Sequence, residues 1–378
     1  MGGSGVIPGW KIAREFDRFV QQIKAVGGLI WEPIIQRHHD RNRAGRLNIT
    51  PGERPLTNRV LVYLLFQADR VLDSTIETCR LMEKEGYSTL IVSNAPLTSE
   101  SRLRLSKVSW RVMQRPNYGY DFGGYRDGVL YLMEQGIRPD WLMVLNDSVW
   151  FPLRCNDTLV PRLEQSGLDV SGTIVHRSFR KTFLRRRQKR VIESYLFLFN
   201  KKAFDSQAFR DFWLKYRVSS IKYNAVHRGE RQVAETMLNA GLSADGLFGR
   251  DGFLDFCTDQ DCEYLKKTLR YANYTNEAFE ASRQSLLARF DVTEAWRQDA
   301  LAHIRTVSNK NSFFSSFPFV SAGGFDVPLI KRSNGALQVL ARKSILRAVA
   351  ANDIPRFRDT VMAEMLMQDG QTVHQGSE

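Results

Sequence analysis

NYGYDFGGYRDGVLYLMEQGIRPDWLMVLNDSVWFPL, residues 117–153, decides the fold. It opens with a glycine-rich turn, Asn117 to Gly124. A helix follows with apolar Val129, Leu130, Leu132 and Met133, and the Gly-Ile-Arg-Pro exit ends it at Pro139. Trp141 to Leu145 is then a continuous apolar run, the pattern of a central parallel strand covered on both faces. The run stops at Asn146-Asp147-Ser148. Polar residues directly after a buried strand lie at the carboxyl edge of an α/β sheet, where ligands bind. That placement points to an enzyme.

Working outward, strands and helices alternate. Val60 to Phe66 reads as a buried strand, Ser74 to Glu85 as a helix, Tyr87 to Val92 and Val108 to Gln114 as further strands. With Trp141 to Leu145 they make half of a doubly wound α/β domain with right-handed crossovers. The order, with an acidic triplet after the fourth strand, suits nucleotide-sugar binding. No dinucleotide fingerprint is present: Gln67-Ala68-Asp69-Arg70 follows the first strand, and no Walker A loop occurs. Downstream, Asp169 to Val175 reads as a strand, and Glu193 to Phe199 as an apolar strand headed by a carboxylate. Phe204 to Tyr216 reads as an aromatic helix whose Phe209, Phe212, Trp213 and Tyr216 recur at core spacing. Glu230 to Leu238 and most of Asp259 to Arg305 read as helical, Asn309 to Pro328 as loop. Gly335 to Gln368 reads as basic amphipathic helix broken near Pro355, and the tail from Asp369 as disordered. Four segments follow: a helical extension and linker over 6–55, the α/β domain over 56–258, a helical segment and returning loop over 259–333, and basic helices with a tail over 334–378. Within the first, Trp10 to Trp31 is an amphipathic helix carrying Ile12, Phe16, Phe19, Val20, Ile23 and Val26, expected to pack on the body or on a second copy. His38 and His39 stand in a polar linker as solvated histidines.

The 378 residues, 43% hydrophobic and 25% charged, are those of an ordinary globular chain. No apolar run reaches the ~18 residues of a membrane span, and no secretory signal opens the sequence. Met1 to Gly5 is set aside as an added leader. Cys79, Cys155, Cys257 and Cys262 form no CxxC pair, which points to reduced thiols and a cytoplasmic setting. The net charge of +13 is concentrated in Arg177 to Arg190, RSFRKTFLRRRQKR. Such a run serves as a solvated surface, as a contact for anionic lipid or diphosphate, or as a nucleic-acid patch. With Phe179 and Phe183 as its aromatics, and no binding module around it, nucleic acid is not the expected partner.

Asn146-Asp147-Ser148 offers hard oxygen donors at a strand end. Asp147 can hold Mg²⁺ or Mn²⁺ against a nucleotide-sugar diphosphate, because such an ion keeps several waters and needs few protein ligands. The same triplet can also simply end the strand in a turn.

Asn117-x-Gly119-Tyr120-Asp121-Phe122-Gly123-Gly124, then Leu145-Asn146-Asp147-Ser148-Val149 and Pro152, resembles the rhamnan synthesis protein F family of bacterial polysaccharide glycosyltransferases. The likeness continues through Glu193-Ser194-Tyr195, Phe199-Asn200-Lys201-Lys202, Phe212-Trp213 and Glu230, to Asn311-Ser312-Phe313-Phe314 and Pro328-x-Ile330-Lys331-Arg332. Tyr120 and Phe151 depart from the pattern, where arginine and glycine are common. The resemblance implies a GT-A-like, Rossmann-type, mainly parallel sheet flanked by helices, with helical N- and C-terminal extensions. It implies transfer of a sugar, commonly L-rhamnose from dTDP-L-rhamnose, to O-antigen, capsule or another surface glycan, on an acceptor that can be linked to a lipid diphosphate. Donor contacts would fall to Asn117, Gly119, Tyr120, Asp121, Gly123, Asn146, Asp147 and Ser148, with Lys331 and Arg332 if that loop folds back. An inverting transfer needs a carboxylate base, for which Glu230, Glu193 and Asp121 are the candidates. Glu230 leads, at a helix start that favours its ionised form. Asp121 is equally an ordinary helix N-cap. The rival classes are a non-catalytic scaffold of a polysaccharide assembly complex and a basic nucleic-acid-binding protein.

Overall fold

The structure, a computed structural model, describes residues 31–181 and 186–375. The helix expected over Trp10 to Trp31 lies outside the described residues except for Trp31. Val60, Val62 and Leu64 point to one side of their strand and Leu61, Tyr63 and Leu65 to the other, and all are buried. A strand apolar on both faces has to sit inside a sheet covered twice. Here it is β2 (Arg59–Leu65), between β3 (Tyr87–Ser93) and β5 (Trp141–Asn146) and parallel to both. Continuing outward, β4 (Arg111–Gln114) runs parallel to β3, and β1 (Asn48–Pro51) caps that edge antiparallel. On the other side β9 (Leu196–Asn200) is antiparallel to β5 and to β7 (Val170–Lys181), and β10 (Ala244–Gly249) is parallel to β7. The nine-stranded order is β1-β4-β3-β2-β5-β9-β7-β10, with β8 (Arg186–Ile192) on β7. This is the mainly parallel, helix-flanked arrangement expected.

The glycine-rich stretch is a packing device. A methyl on Gly124 would lie 2.3 Å from Leu64 Cδ1, and one on Gly128 2.7 Å from Val62 Cγ1. These two glycines let the helix Tyr120–Glu134 lie directly against β2. Arg115 and Asp127 lock its approach: Nε meets Oδ2 at 2.6 Å with both side chains essentially unexposed. The other guanidinium nitrogens bond Asn94 Oδ1 and the Tyr118 carbonyl. Trp213 and Tyr216 are buried against Phe122 and Phe209 against Trp213, as their spacing predicts, while Phe212 is partly buried beside them.

Several local expectations are corrected. The ends of the basic run are strands, β7 and β8, paired antiparallel from Val175↔Ile192 to Lys181↔Arg186. Glu193 does not head a strand but follows β8, because Ser194 and Tyr195 turn the chain before β9 begins at Leu196. The aromatic helix is two, Lys201–Asp205 and Gln207–Lys215, divided where Ser206 caps the second. Asn309 to Pro328 folds into short helices, Phe313–Ser316 and Pro318–Ala322, whose aromatic side chains are buried. The part of the tail from Asp369 to Gln375 is helical, the end of the helix Asp359–Gln375. His39 is buried, its ring 4.8 Å from Tyr118.

A helix over 31–41 and the helix Asp359–Gln375 close the two ends of the described chain on the body. Glu364 accepts hydrogen bonds from Ser74 N and Oγ and from Trp150 Nε1, tying the second to the sheet edge.

Removing Asp127 strands a buried guanidinium. Asp127→Ala should lower the unfolding free energy by about 3–5 kcal/mol in urea denaturation; a loss under about 1 kcal/mol, the size of an exposed pair, would contradict this assignment.

Candidate active site at the carboxyl edge of the sheet

Parallel β2, β3 and β5 end together, and their ends carry polar side chains. The turn after β5 keeps its backbone on β2, Asp147 N bonding the Leu64 carbonyl at 3.0 Å. The Asp147 carboxylate is then fixed through Oδ2 by Phe66 N and Gln67 Nε2, each at 2.9 Å. Gln67 is itself held by Thr75 and Leu72 N. Asn146 turns the other way: its Nδ2 donates to Asp121 Oδ2 at 3.0 Å, and its Oδ1 accepts from Ser148 N. The acidic turn and the glycine-rich bend thus meet through the Asn146–Asp121 hydrogen bond.

Asp121 is not an N-cap, since Gly119 occupies that position at φ 86° and Asp121 sits in the first turn. Burial pushes its carboxyl up to about 6, with the nearby Asp147 and Glu230 adding to the rise. Asp147 is also raised by burial, although Arg332 and its two donors pull it down.

Glu230 arrives from the far side. Gly229 lets its helix, Glu230–Asn239, start directly on Phe122, where a methyl would come within 2.4 Å of the ring. Ser194 Oγ donates to Glu230 Oε2 at 2.7 Å, and Tyr125 OH donates to the Ser194 carbonyl at 2.9 Å. Burial raises Glu230 above its ordinary value; the Ser194 hydroxyl opposes this and Glu193 adds to it. Glu193 differs. Burial would raise it, but His176 Nε2 at 2.6 Å from Oε1 and Lys331 Nζ at 2.8 Å from Oε2 hold it below the ordinary range.

Lys331 and Arg332 do fold back. β11 (Ile330–Lys331) pairs antiparallel with β6 (Val149–Trp150), directly after the Asn146 turn. Arg332 N bonds the Ser148 carbonyl at 2.8 Å and its Nη1 the Asp147 carbonyl at 3.1 Å, while the buried Nε has no partner among the described residues. Lys331 lies 5.5 Å from the Tyr195 ring and 5.2 Å from that of Phe314. Two cavities lie nearby, and Arg332 borders the first. One, of about 380 Å³, lies between the exposed Phe66 ring, Asp69, Arg70, Arg332 and Met367. The other, of about 370 Å³, is lined by Glu193, His176, Arg250, Asp251 and Asn311.

The remaining donor candidates are less central. Asn117 and Tyr120 are exposed, Tyr120 at φ 51°. Gly119 packs on Val218 and Gly123 on the Tyr118 carbonyl, so close backbone contact accounts for both. Gln67, His176 and Ser194 were not singled out from the sequence. Gln67 follows a buried strand directly, a signal that was available; His176 is placed by the β7–β8 pairing, which the sequence does not display. Among the described residues no group of three or more His, Cys, Asp or Glu is placed to hold a metal ion, and no helix is long and apolar enough to cross a membrane.

From about pH 4, the ordinary aspartate value, to about 6, the folded protein holds the Asp121 proton more tightly than the unfolded chain. Its contribution to stability is complete below that window and lost as pH rises through it. Asp121→Asn keeps an acceptor for Asn146, so the wild-type-minus-variant unfolding free energy should fall across this window and then level off. A flat difference would refute the raised carboxyl.

The family model of rhamnan synthesis protein F matches residues 89–268. The uncharacterized protein y4gN of Sinorhizobium fredii is 26% identical over 343 residues, covering 89% of this chain and 86% of that protein. Among solved structures, the mannosyltransferase PcManGT from Pyrobaculum calidifontis, in complex with GDP-Man and Mn²⁺, is 9% identical. It covers 87% of this chain and 98% of that one at a TM-score of 0.32. The glycosyltransferase GlyE of Streptococcus pneumoniae is 11% identical over 67% of this chain and 64% of that one, at 0.29. Overlaps this loose carry no argument about the site. Over residues 89–268, which hold Asp121, Asn146, Asp147, Glu193 and Glu230, the chain matches the rhamnan synthesis protein F family.

Proposed function

We propose that this protein is a glycosyltransferase that moves a sugar from a nucleoside diphosphate carrier to a growing bacterial surface polysaccharide, at the cytoplasmic face of the membrane. The observation that supports it is the set of carboxylates Asp121, Asp147, Glu193 and Glu230 gathered at one sheet edge beside Lys331 and Arg332. The matched family's name favours L-rhamnose, carried by dTDP, as the donor sugar, with O-antigen or capsule as the product.

In this reading the nucleoside lies in the cavity beside Phe66, whose open ring face suits stacking. The diphosphate meets the guanidinium of Arg332, which borders that cavity, and Lys331 adds the next positive charge. Cleavage of the sugar–phosphate bond passes through an oxocarbenium-like transition state while negative charge collects on the leaving diphosphate. Fixed cations stabilise that charge without reorganising. Asp147 has a second carboxylate oxygen available, and the mutual repulsion of Asp147 and Asp121 favours a cation between protein and substrate. This donor set fits Mg²⁺ or Mn²⁺ held by Asp147 with diphosphate oxygens and water, and such an ion, when bound, neutralises the leaving group.

Glu230 is the base for the acceptor hydroxyl: its affinity for a proton is raised and it makes no ion pair among the described residues. Glu193, clamped by His176 and Lys331, positions the lysine instead. The cavity beside Glu193 takes the acceptor glycan, linked to lipid diphosphate. The β7–β8 hairpin, Arg177 to Arg190, offers an anionic membrane a contact, although Asp245 already pairs with Arg177 and Arg190. Nucleic acid is not a partner.

Purified protein incubated with dTDP-, GDP- and UDP-sugars, with and without EDTA, should bind and slowly hydrolyse one of them; indifference to all would end the enzyme reading. Asp147→Ala should abolish that turnover with the fold intact. A variant that still fulfils its cellular role would favour a scaffold. Glu230→Gln should lower kcat by about 10²–10⁴-fold with little change in donor KM; an unchanged kcat would remove Glu230 as the base.

A further inference from the structure

The helix over 31–41 is built inside out. Its body-facing side is polar: Glu32 Oε2 pairs with Arg228 Nη1 at 2.6 Å, and Asp40 Oδ1 with Arg126 Nη1 at 2.6 Å. Gln36 bonds the Tyr216 carbonyl at 2.8 Å and Val218 N at 3.1 Å. Its outward side is apolar: Trp31, Ile34 and Ile35 are 65%, 57% and 52% exposed. These three stand at i, i+3 and i+4, one continuous stripe. An ordinary surface helix turns such a stripe toward the core. Here the inward face is already committed to ion pairs and hydrogen bonds, so among the described residues the stripe has no body surface to bury against.

What covers it can be read from the charge around it. Arg37 and Arg41, one and two turns on, are exposed and make no ion pair among the described residues. The sequence just before the helix has the same character, with Phe16, Phe19, Val20, Ile23 and Val26 interleaved with Arg14, Arg18 and Lys24. An apolar stripe with Trp at one end and cations along its flank suits the headgroup boundary of an anionic bilayer. A second copy suits it less. A two-fold contact through this patch would bring each arginine near its own counterpart, in a chain that already carries +13.

We propose that the helix over 31–41 is a membrane-docking element whose Trp31, Ile34 and Ile35 enter the surface of an anionic lipid bilayer, with Arg37 and Arg41 at the headgroups. This is independent of the donor-site reading and of the β7–β8 hairpin.

The test is co-sedimentation of the full chain with vesicles of phosphatidylcholine alone and of phosphatidylcholine mixed with phosphatidylglycerol. Wild type should partition to the mixed vesicles, and W31S/I34S/I35S should bind them at least about tenfold more weakly, three large apolar groups being lost. R37E/R41E should weaken binding to the mixed vesicles alone. Reversing Arg185, Arg186 and Arg187 reads the hairpin contact separately. Equal binding by wild type and the apolar variant would overturn the proposal. So would light scattering that shows a wild-type dimer which the same variant dissociates. Donor hydrolysis in vesicle-free solution, expected unchanged in W31S/I34S/I35S, shows that the variant is folded and keeps a failure here apart from a failure of the active-site reading.

Discussion

Carboxylates crowded at one buried edge repel each other and lose hydration, and a fold that gathers them must supply compensation. Here it comes from a two-residue strand. β11 pairs with β6 and delivers Lys331 to Glu193 and Arg332 to the turn at Asp147. Hydrogen bonds from Phe66 N, Gln67, Asn146 and Ser194 supply the rest. Among the described residues Asp121 and Glu230 make no ion pair, and burial raises their proton affinity. Perturbed carboxylates in a cleft are a recognised mark of functional sites.

How much of this could be read in advance follows from the physics of each segment. β2 and β5 were legible because a strand covered on both faces is apolar throughout. The polar turn at Asn146-Asp147-Ser148 was legible because polar residues directly after such a strand mark its carboxyl end. Glu193 was misplaced because β8 is largely charged and a hairpin edge leaves no periodic mark. Gly119, Gly123 and Gly124 were legible as a turn but not as packing, since spacing alone cannot tell a phosphate cradle from a helix seated on a strand. The helices in 309–328 were missed because their Phe and Ser residues are weak helix formers, and tertiary burial decides their structure.

The site also draws on residues far from the family-matched region 89–268. Lys331 and Arg332 lie beyond it, and Glu364 anchors Trp150, the residue on which Arg332 stacks at 5.4 Å. Phe66 and Gln67, directly after β2, lie before it. The matched region therefore supplies acids, while its flanks supply cations and one cavity wall. Asp127 and Arg115 belong to neither flank; they set the angle of the helix that brings Asp121 to Asn146.

The central claim is that Arg332 is aimed at a diphosphate. Calorimetric titration of wild type and Arg332→Ala with the nucleoside diphosphate of the identified donor measures this most directly. The account predicts at least a tenfold loss of affinity, about 1.4 kcal/mol, with unchanged binding of the free nucleoside. Equal diphosphate affinity in the two proteins would contradict it.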